Sequence, residues 1–284
     1  MPFWFAAAGL LIYAVVVIYP DIVGALSAFT DWSGVSGEAS FVGLENFARL
    51  LREPGAIGAL INTLIIAACV TVLQTGLGLL LAVALNRPLK TGAVLRGLFF
   101  LPVLLPPVVV AFLWQFLLTP SGPVNQLLRG IGLSALAQNW LANAGTALAG
   151  VILVIIWQNV GTTMVVYLAG LQSVPDELYE AAAIDGASAP RRFFSVTFPM
   201  LAPATTIAVS VTLISSLKVF DQVFAMTGGG PGYATQTISL LMYKSAFVSS
   251  EYGYSTAIAL VLTAIILVLA AVQLGALRRL EVER

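Results

Sequence analysis

The sequence has no histidine, a single cysteine (Cys69), and charged residues at only 9% of its 284 positions. Histidine is the commonest metal ligand and general base, so its absence argues against a metal centre or acid–base catalysis. One cysteine inside an apolar run forms no intramolecular disulfide and is typical of a small core residue. The 13 basic and 13 acidic residues cancel, so no basic excess indicates a nucleic-acid partner.

Hydrophobic residues make up 59% of the chain, and its mean hydropathy is +0.97. A soluble domain carries roughly a quarter charged residues, so most of this surface must face something other than water. Backbone groups in lipid must bond within their own segment, which leaves helices as the expected structure. We therefore predict an all-α integral membrane protein, with one domain over residues 1–284 and six transmembrane helices long enough to cross ~30 Å of hydrocarbon. The predicted spans run approximately over residues 3–28, 57–85, 95–118, 146–171, 199–226 and 254–276.

Two of the predicted spans contain residues that disturb a helix. Pro102, Pro106 and Pro107 predict a kink or a break in the third span, to which we assign no ligand. The run Gly228-Gly229-Gly230-Pro231-Gly232 predicts an abrupt end of the fifth span, because glycine and proline propagate a helix poorly.

Lysine and arginine are distributed unequally between the two ends of the spans. An even number of spans places both termini on one side, and eight basic residues lie on that side against four on the other. The positive-inside rule makes the side with eight cytoplasmic. The eight are Arg87, Lys90, Arg96, Arg191, Arg192, Arg278, Arg279 and Arg284, and the four are Arg49, Arg52, Arg129 and Lys244.

A polar stretch, residues 172–198, connects the fourth and fifth spans on the predicted cytoplasmic side. Pro175 and the two acidic residues after it predict the start of a helix. Asp185-Gly186 predicts its end, because glycine adopts a left-handed conformation at no steric cost. Small residues on one side of this short helix would let the backbone of a partner approach closely. The alternative for any one of these residues is an ordinary polar loop.

Polar side chains also occur inside the fourth and fifth spans. A charged side chain there costs ~2.5–3.5 kcal/mol, so such groups usually face a cavity or one another. Lys218 and Asp221 lie three residues apart, which predicts that they are neighbours on one helical face. They then either neutralise each other or face a solute, while amides and hydroxyls either contact the solute or join helices. The candidate path residues are Trp157, Gln158, Asn159, Thr162, Ser216, Lys218, Phe220 and Asp221.

The motif in the connecting stretch resembles the EAA loop of ABC importer permeases. It reads Glu180-Ala181-Ala182, three residues, Gly186, nine residues, Val196, any residue, Phe198 and Pro199, where Phe198 replaces the usual leucine. Further stretches resemble the carbohydrate permeases of type I importers, on the side of the larger maltose, lactose and glycerol-phosphate permeases. These stretches are residues 42–47, 168–175, 220–223, 226–235, 243–247 and 252–257, and the resemblance covers most of the chain from Phe41 to Leu277.

The resemblance implies the type I permease fold with a cytoplasmic coupling helix that docks into an ATPase. The implied partners are a second homologous permease, a pair of ATPase subunits, an extracytoplasmic sugar-binding protein, a sugar and the lipid bilayer. The setting is the cell membrane of a prokaryote, with both termini cytoplasmic. ATP would be bound by the ATPase subunits, so no cofactor, metal or catalytic residue is expected in this chain. The coupling residues by resemblance are Glu180, Ala181, Ala182, Asp185, Gly186 and Pro199.

Several other functions compete with a sugar importer. An ion-coupled secondary transporter would use Lys218 and Asp221 as its ion site, but it leaves the EAA loop unexplained and calls for inverted repeats. A membrane enzyme lacks support, because the chain has no nucleotide loop of the Gly-x4-Gly-Lys-Ser/Thr kind. An ABC permease for glycerol phosphate would want more cationic residues than Lys218. We therefore expect a neutral oligosaccharide as the substrate.

Overall fold

The computed structural model describes residues 4–34, 39–87 and 90–281. Within these ranges the regular secondary structure is helical, apart from one isolated bridge between Thr30 and Phe41. The all-α prediction is therefore confirmed for the described residues. Two residues named above, Arg284 and the first residue of the first predicted span, Phe3, lie outside them.

The helices, numbered in chain order, are α1 (Trp4–Tyr13), α2 (Tyr19–Ser27), α3 (Glu45–Arg52), α4 (Pro54–Leu85), α5 (Gly92–Phe100), α6 (Pro107–Leu117), α7 (Pro123–Gly130), α8 (Ala144–Gln172), α9 (Asp176–Ile184), α10 (Ala189–Arg192), α11 (Phe198–Met200), α12 (Ala202–Leu217), α13 (Asp221–Thr227), α14 (Ile238–Phe247) and α15 (Tyr252–Glu281). Short π-helical turns occupy Ala14–Ile18 and Phe193–Thr197, and 3-10 turns occupy Leu101–Leu104 and Ser134–Leu136.

The chain divides into two compact units. The first unit comprises Met1–Leu60 and Ile238–Ile265, and the second comprises Ile61–Thr237 and Ile266–Arg284. Long helices pass from one unit into the other, so α4 and α15 each contribute residues to both.

Four continuous helical stretches in the described ranges are long and apolar enough to cross a membrane, and two bent helix pairs bring the number to six if each pair is one span. This agrees with the six spans predicted from the sequence. The continuous stretches are Ala7–Ser27, Pro54–Leu85, Ala144–Gln172 and Tyr252–Arg278, and the bent pairs are Gly92–Leu104 with Pro107–Leu117 and Ala189–Met200 with Ala202–Leu217.

The third span is broken at its prolines. Its two halves meet at an angle of 99°, and the chain is extended at Leu105 and Pro106 before α6 begins at Pro107. Proline lacks the N–H that would bond to the preceding turn, so the break follows from the covalent structure. The predicted break is confirmed.

The fifth span differs from its prediction in two ways. It bends by 66° between Met200 and Ala202, and its last helix ends at Leu217 rather than near residue 226. Lys218 and Phe220 leave the helical path, and the separate helix α13 begins at Asp221. The prediction that Lys218 and Asp221 share one helical face is therefore wrong.

Helix α8 is the most buried of the four continuous stretches, and its glycines explain how closely neighbouring helices approach it. A methyl group added at Gly161 would lie 2.5 Å from the Phe99 carbonyl oxygen and 2.9 Å from the Phe100 Cα of α5. One added at Gly170 would lie 2.7 Å from the Ala204 Cβ of α12. Small residues at such crossings allow tight packing in a membrane. A buried apolar cluster around the Gly170 crossing consists of Ala82, Leu85, Met164, Tyr167, Leu168, Leu171, Leu201, Ala204 and Ala208.

In the first unit, a charged cluster joins α3 to the beginning of α15. The Arg49 guanidinium donates two hydrogen bonds to the Glu251 carboxylate, at 2.8 and 3.0 Å, and lies 4.1 Å from the centre of the Tyr254 ring. The Tyr254 hydroxyl donates to Glu53 at 2.9 Å. Through Arg49 and Glu53, the chain at the end of the short helix α3 is thus tied to the start of α15.

Candidate functional site

A cavity of about 320 Å³ lies in the second unit at the break of the fifth span, by which we mean residues 218–220 between the end of α12 and the start of α13. Its wall combines α4, α8, α12, the first residue of α6, the break that follows α12 and the start of α13. The wall consists of Val70, Gln74, Pro107, Ile155, Asn159, Thr162, Val211, Thr212, Ser215, Ser216, Lys218, Val219, Phe220, Asp221 and Gln222. Amides, hydroxyls, one ammonium and one carboxylate therefore face a common space inside an apolar bundle.

The structure brings six of the eight predicted path residues to this wall, namely Asn159, Thr162, Ser216, Lys218, Phe220 and Asp221. Trp157 is not part of the wall. Its ring packs edge-on against Trp114 of α6, with centroids 5.4 Å apart and planes at 71°. This geometry is one that aromatic pairs favour, so Trp157 contacts a neighbouring helix rather than the cavity.

Gln158 also lies outside the wall, and it is only 2% exposed. Its Nε2 donates to the Leu105 carbonyl oxygen at 3.0 Å, and its Oε1 accepts from Gln222 Nε2 at 2.9 Å. Both ends of the amide are therefore engaged within the protein, which matches the alternative of polar contact between helices.

The remaining wall residues differ in what they offer a solute. The Ser216 hydroxyl is buried and donates to the Leu213 carbonyl at 3.0 Å, and the Thr162 hydroxyl donates to the Asn159 carbonyl at 2.6 Å. These hydroxyls keep acceptor lone pairs for a ligand. Lys218 and Asp221 are exposed, and in the described part of the chain they form no ion pair with each other. Their charged groups thus face the cavity.

The wall also includes Gln74, Thr212, Ser215 and Gln222, which are not among the candidate path residues. Gln74 is buried in α4, and its Nε2 donates to the Asn159 carbonyl at 3.2 Å and to Thr212 Oγ1 at 3.5 Å. An amide in the middle of an otherwise apolar span must bond within the protein or face a cavity, so Gln74 carried a usable signal.

The predicted coupling helix forms as α9. Pro175 precedes it in an extended conformation, with Asp176 and Glu177 in its first turn. The helix ends at Ile184, and Gly186 takes a left-handed conformation with φ of +72°. The Gly186 and Ala187 amides donate back to the carbonyls of the last turn at 3.1 and 2.9 Å. Both ends are therefore determined by local sequence, as predicted.

The surface of α9 is open to a partner. Glu180, Ala181 and Asp185 are exposed, Ala182 is half-buried, and the Ile184 side chain is 87% exposed. A bulky aliphatic side chain so exposed beside small residues forms an apolar patch with room for another backbone.

The other side of α9 is tied to the fifth span. The Tyr179 hydroxyl lies 3.1 Å from Thr197 Oγ1, in the π-helical turn that leads into α11. Pro199 is half-buried in α11, directly before the 66° bend. A displacement of α9 would consequently reach the fifth span through a short connection.

The described helices, the polar cavity within them and the exposed connecting helix together define a membrane transport component. The family model described as "Binding-protein-dependent transport system inner membrane component" matches residues 74–282. The chain belongs to this family of ABC transporter permeases, whose members are transport components rather than enzymes.

Relatives match over nearly the full length. The chain is 39% identical to "Probable ABC transporter permease protein YurN" of Bacillus subtilis, over 93% of this chain and 91% of that protein. It is 34% identical to "Multiple sugar-binding transport system permease protein MsmF" of Streptococcus mutans, over 98% of this chain and 95% of that protein.

A solved structure matches as well, that of a bacterial alginate ABC transporter in complex with an alginate pentasaccharide-bound periplasmic protein. The TM-score is 0.83 at 25% identity, over 98% of this chain and 95% of the matched chain. The fold is therefore the type I ABC importer permease fold.

Proposed function

We propose that this chain, acting as one permease domain, is the membrane subunit of an ATP-driven importer that takes a neutral oligosaccharide from an extracytoplasmic binding protein into the cytoplasm. The observation that carries this proposal is the cavity at the interrupted fifth span. Broken helices in transporters place unpaired polar groups where a solute crosses. MsmF and the alginate transporter handle carbohydrates by name, which supports a carbohydrate substrate here. Alginate is an acidic polysaccharide, so the neutral charge proposed for the solute rests on the cavity wall alone.

The chemistry of the wall favours a neutral solute. Amides and hydroxyls match the donors and acceptors of a sugar, and the aromatic residue Phe220, whose ring stacks on Phe224, lines the wall beside them. Lys218 is the single cation of the wall and Asp221 its single anion. An anionic solute such as glycerol phosphate would gain from Lys218 but be repelled by Asp221, so it fits the wall less well.

The coupling proposal is that Glu180, Ala181, Ala182, Asp185, Gly186 and Pro199 connect an ATPase subunit to this path. In this mechanism the ATPase dimer moves α9 when it closes on ATP. Tyr179 and Pro199 then transmit the displacement to the bent fifth span, which opens the cavity to the other side. A second permease subunit would form the facing half of the path. The chain itself makes and breaks no covalent bond.

The test is ATP hydrolysis by the complex reconstituted with its ATPase and partner permease, comparing wild type with Glu180→Lys plus Gly186→Pro. Proline cannot adopt a positive φ, so the second change removes the end of α9. Gly132→Pro is the matched control, because Gly132 also has a positive φ (+84°) and open space around it. It lies in the segment between α7 and α8, which the positive-inside rule predicts to be extracytoplasmic. We expect loss of binding-protein-stimulated hydrolysis in the double variant alone.

Unchanged stimulation in the double variant would overturn the coupling role and favour an ion-coupled carrier centred on Lys218 and Asp221. Such a carrier would respond to an ion gradient and not to ATP. The proposed sidedness has a separate test in a Cys69→Ala background. A membrane-impermeant thiol reagent applied from outside should label Gly132→Cys and spare Gly186→Cys, and the reverse pattern would invert the topology.

A further inference from the structure

Two buried glutamines link the two interrupted spans of the second unit. Gln222, the second residue of α13, donates to Gln158 Oε1 at 2.9 Å, and Gln158 Nε2 donates to the Leu105 carbonyl at 3.0 Å. Leu105 stands in the break of the third span, and Gln222 follows the break of the fifth. One side chain of α8 thus holds a residue at each break.

The Leu105 carbonyl needs this partner because of the break itself. In a continuous helix it would accept from the amide of Val109, but that amide donates instead to the Pro106 carbonyl at 3.0 Å. A membrane interior offers no water to replace the missing donor. The Gln158 amide supplies it, since leaving a buried carbonyl unpaired is unfavourable.

Helix α8 presents the same face to the segment just before the break. Gly161 lies one turn after Gln158, and it abuts the backbone of Phe99 and Phe100 so closely that only glycine fits. On the other side of the break, Trp157 packs against Trp114 of α6. Contacts from Trp157 and Gly161 of α8 therefore fix the positions of the two halves of the third span. Gln158, which bonds to Gln222, lies between these two residues on α8.

We propose that Gln158 and Gln222 are positioning residues for transport, acting as a relay that fixes the starts of α6 and α13 on α8. Gln158 is then a connection behind the cavity wall and not a solute contact. Gln222 takes part in this connection and also lines the cavity. The transport consequence of this inference rests on the function proposed above, whereas the relay itself does not.

The relay predicts an asymmetry that can be measured by hydrogen–deuterium exchange of the full complex in lipid nanodiscs. Gln158→Met removes both bonds and should speed exchange about tenfold in the first turns of α6 and α13, as ~1.4 kcal/mol of lost protection would. Gln222→Met removes one bond and should speed exchange in α13 only. The double variant should match Gln158→Met. Gln126→Met is the control, since it removes a 2.8 Å hydrogen bond from an amide side chain of α7 to the Ser121 carbonyl.

Equal effects of the two single variants on α6, additive effects in the double variant, or no change at α6 in Gln158→Met would each overturn the relay. The transport role has its own readout in ATP hydrolysis by the same complex. We expect the maximal rate to fall about tenfold in Gln158→Met with the KM for ATP unchanged, and an unaltered maximal rate would overturn that role. A wild-type complex without ATPase activity would refute the proposed function and leave the exchange result to decide the relay.

Discussion

The two breaks in the second unit are built differently. The break of the third span contains Pro106 and Pro107, and the chain is extended there. The break of the fifth span contains no proline. Its helix tightens at the end, where the Lys218 and Val219 amides donate to carbonyls three residues back at 3.2 and 3.4 Å, and the chain then turns away.

The first break is therefore set by the covalent structure of proline, and the second depends on the residues that surround it in the fold. A proline removes a donor wherever it stands, so the first break can be predicted without knowing the fold. The second break exposes Lys218 and Asp221 to a cavity that four separate parts of the chain create. Without the cavity the same residues would favour a continuous helix, and the sequence therefore placed the end of the fifth span some ten residues too late.

The strongest test of this comparison removes the charges at the second break. Placing each charge in lipid costs ~2.5–3.5 kcal/mol, so Lys218→Leu with Asp221→Leu removes most of the reason for exposing this backbone. We expect α12 to continue into α13, amide exchange of residues 218–221 to slow at least about tenfold, and ATP-driven transport to stop. Lys90→Leu, which removes a charge far from the cavity in sequence, is the control. Rapid exchange persisting in the double variant would show that the break is intrinsic to this segment.

A smaller effect is expected beside the first break. Gly161→Ala places a methyl group 2.5 Å from the Phe99 carbonyl oxygen, and backbone on both sides leaves little room to relax. Overpacking of this kind costs roughly 1–3 kcal/mol, which would lower the Tm of the purified complex by a few degrees. Gly97→Ala on α5 is the matched control, because nothing lies within 4 Å of its added methyl group. Equal Tm values for the two variants would contradict the close approach of α8 to α5.

The same distinction explains which site residues the sequence revealed. Both ends of α9 follow from neighbours in sequence, from Pro175 and the two acids at its start to Gly186 at its end. The cavity wall depends on distant residues meeting, so Gln158 was expected to face the solute and instead bonds to Leu105, 53 positions away. Residue type in a span predicts that a polar group needs a partner, and only the fold decides which one.

The smallest effect is expected in the first unit, at the Arg49 cluster. The hydrogen bond to Glu251 raises the pKa of Arg49, although burial acts in the opposite direction. A raised pKa contributes stability that is complete at lower pH and is lost only as pH rises through the folded value. Arginine is already protonated throughout the neutral range, so this contribution should be constant between about pH 6 and 9.

Arg49→Met tests that contribution against Arg52→Met, which removes a charge from the same helix outside this cluster. The pair with Glu251 is more than a third exposed, so solvent screening limits it to ~0.2–1 kcal/mol, and the contact with the Tyr254 ring adds ~0.5–1 kcal/mol at such a site. We expect the Tm difference between the variants to shrink in 1 M salt, where the screening length is about 3 Å. A difference independent of salt would assign the stabilisation to packing on the ring. With either outcome, Arg49→Met should lower the Tm less than Gly161→Ala does. Solvent screens an exposed ion pair, whereas it does not screen the close packing at Gly161.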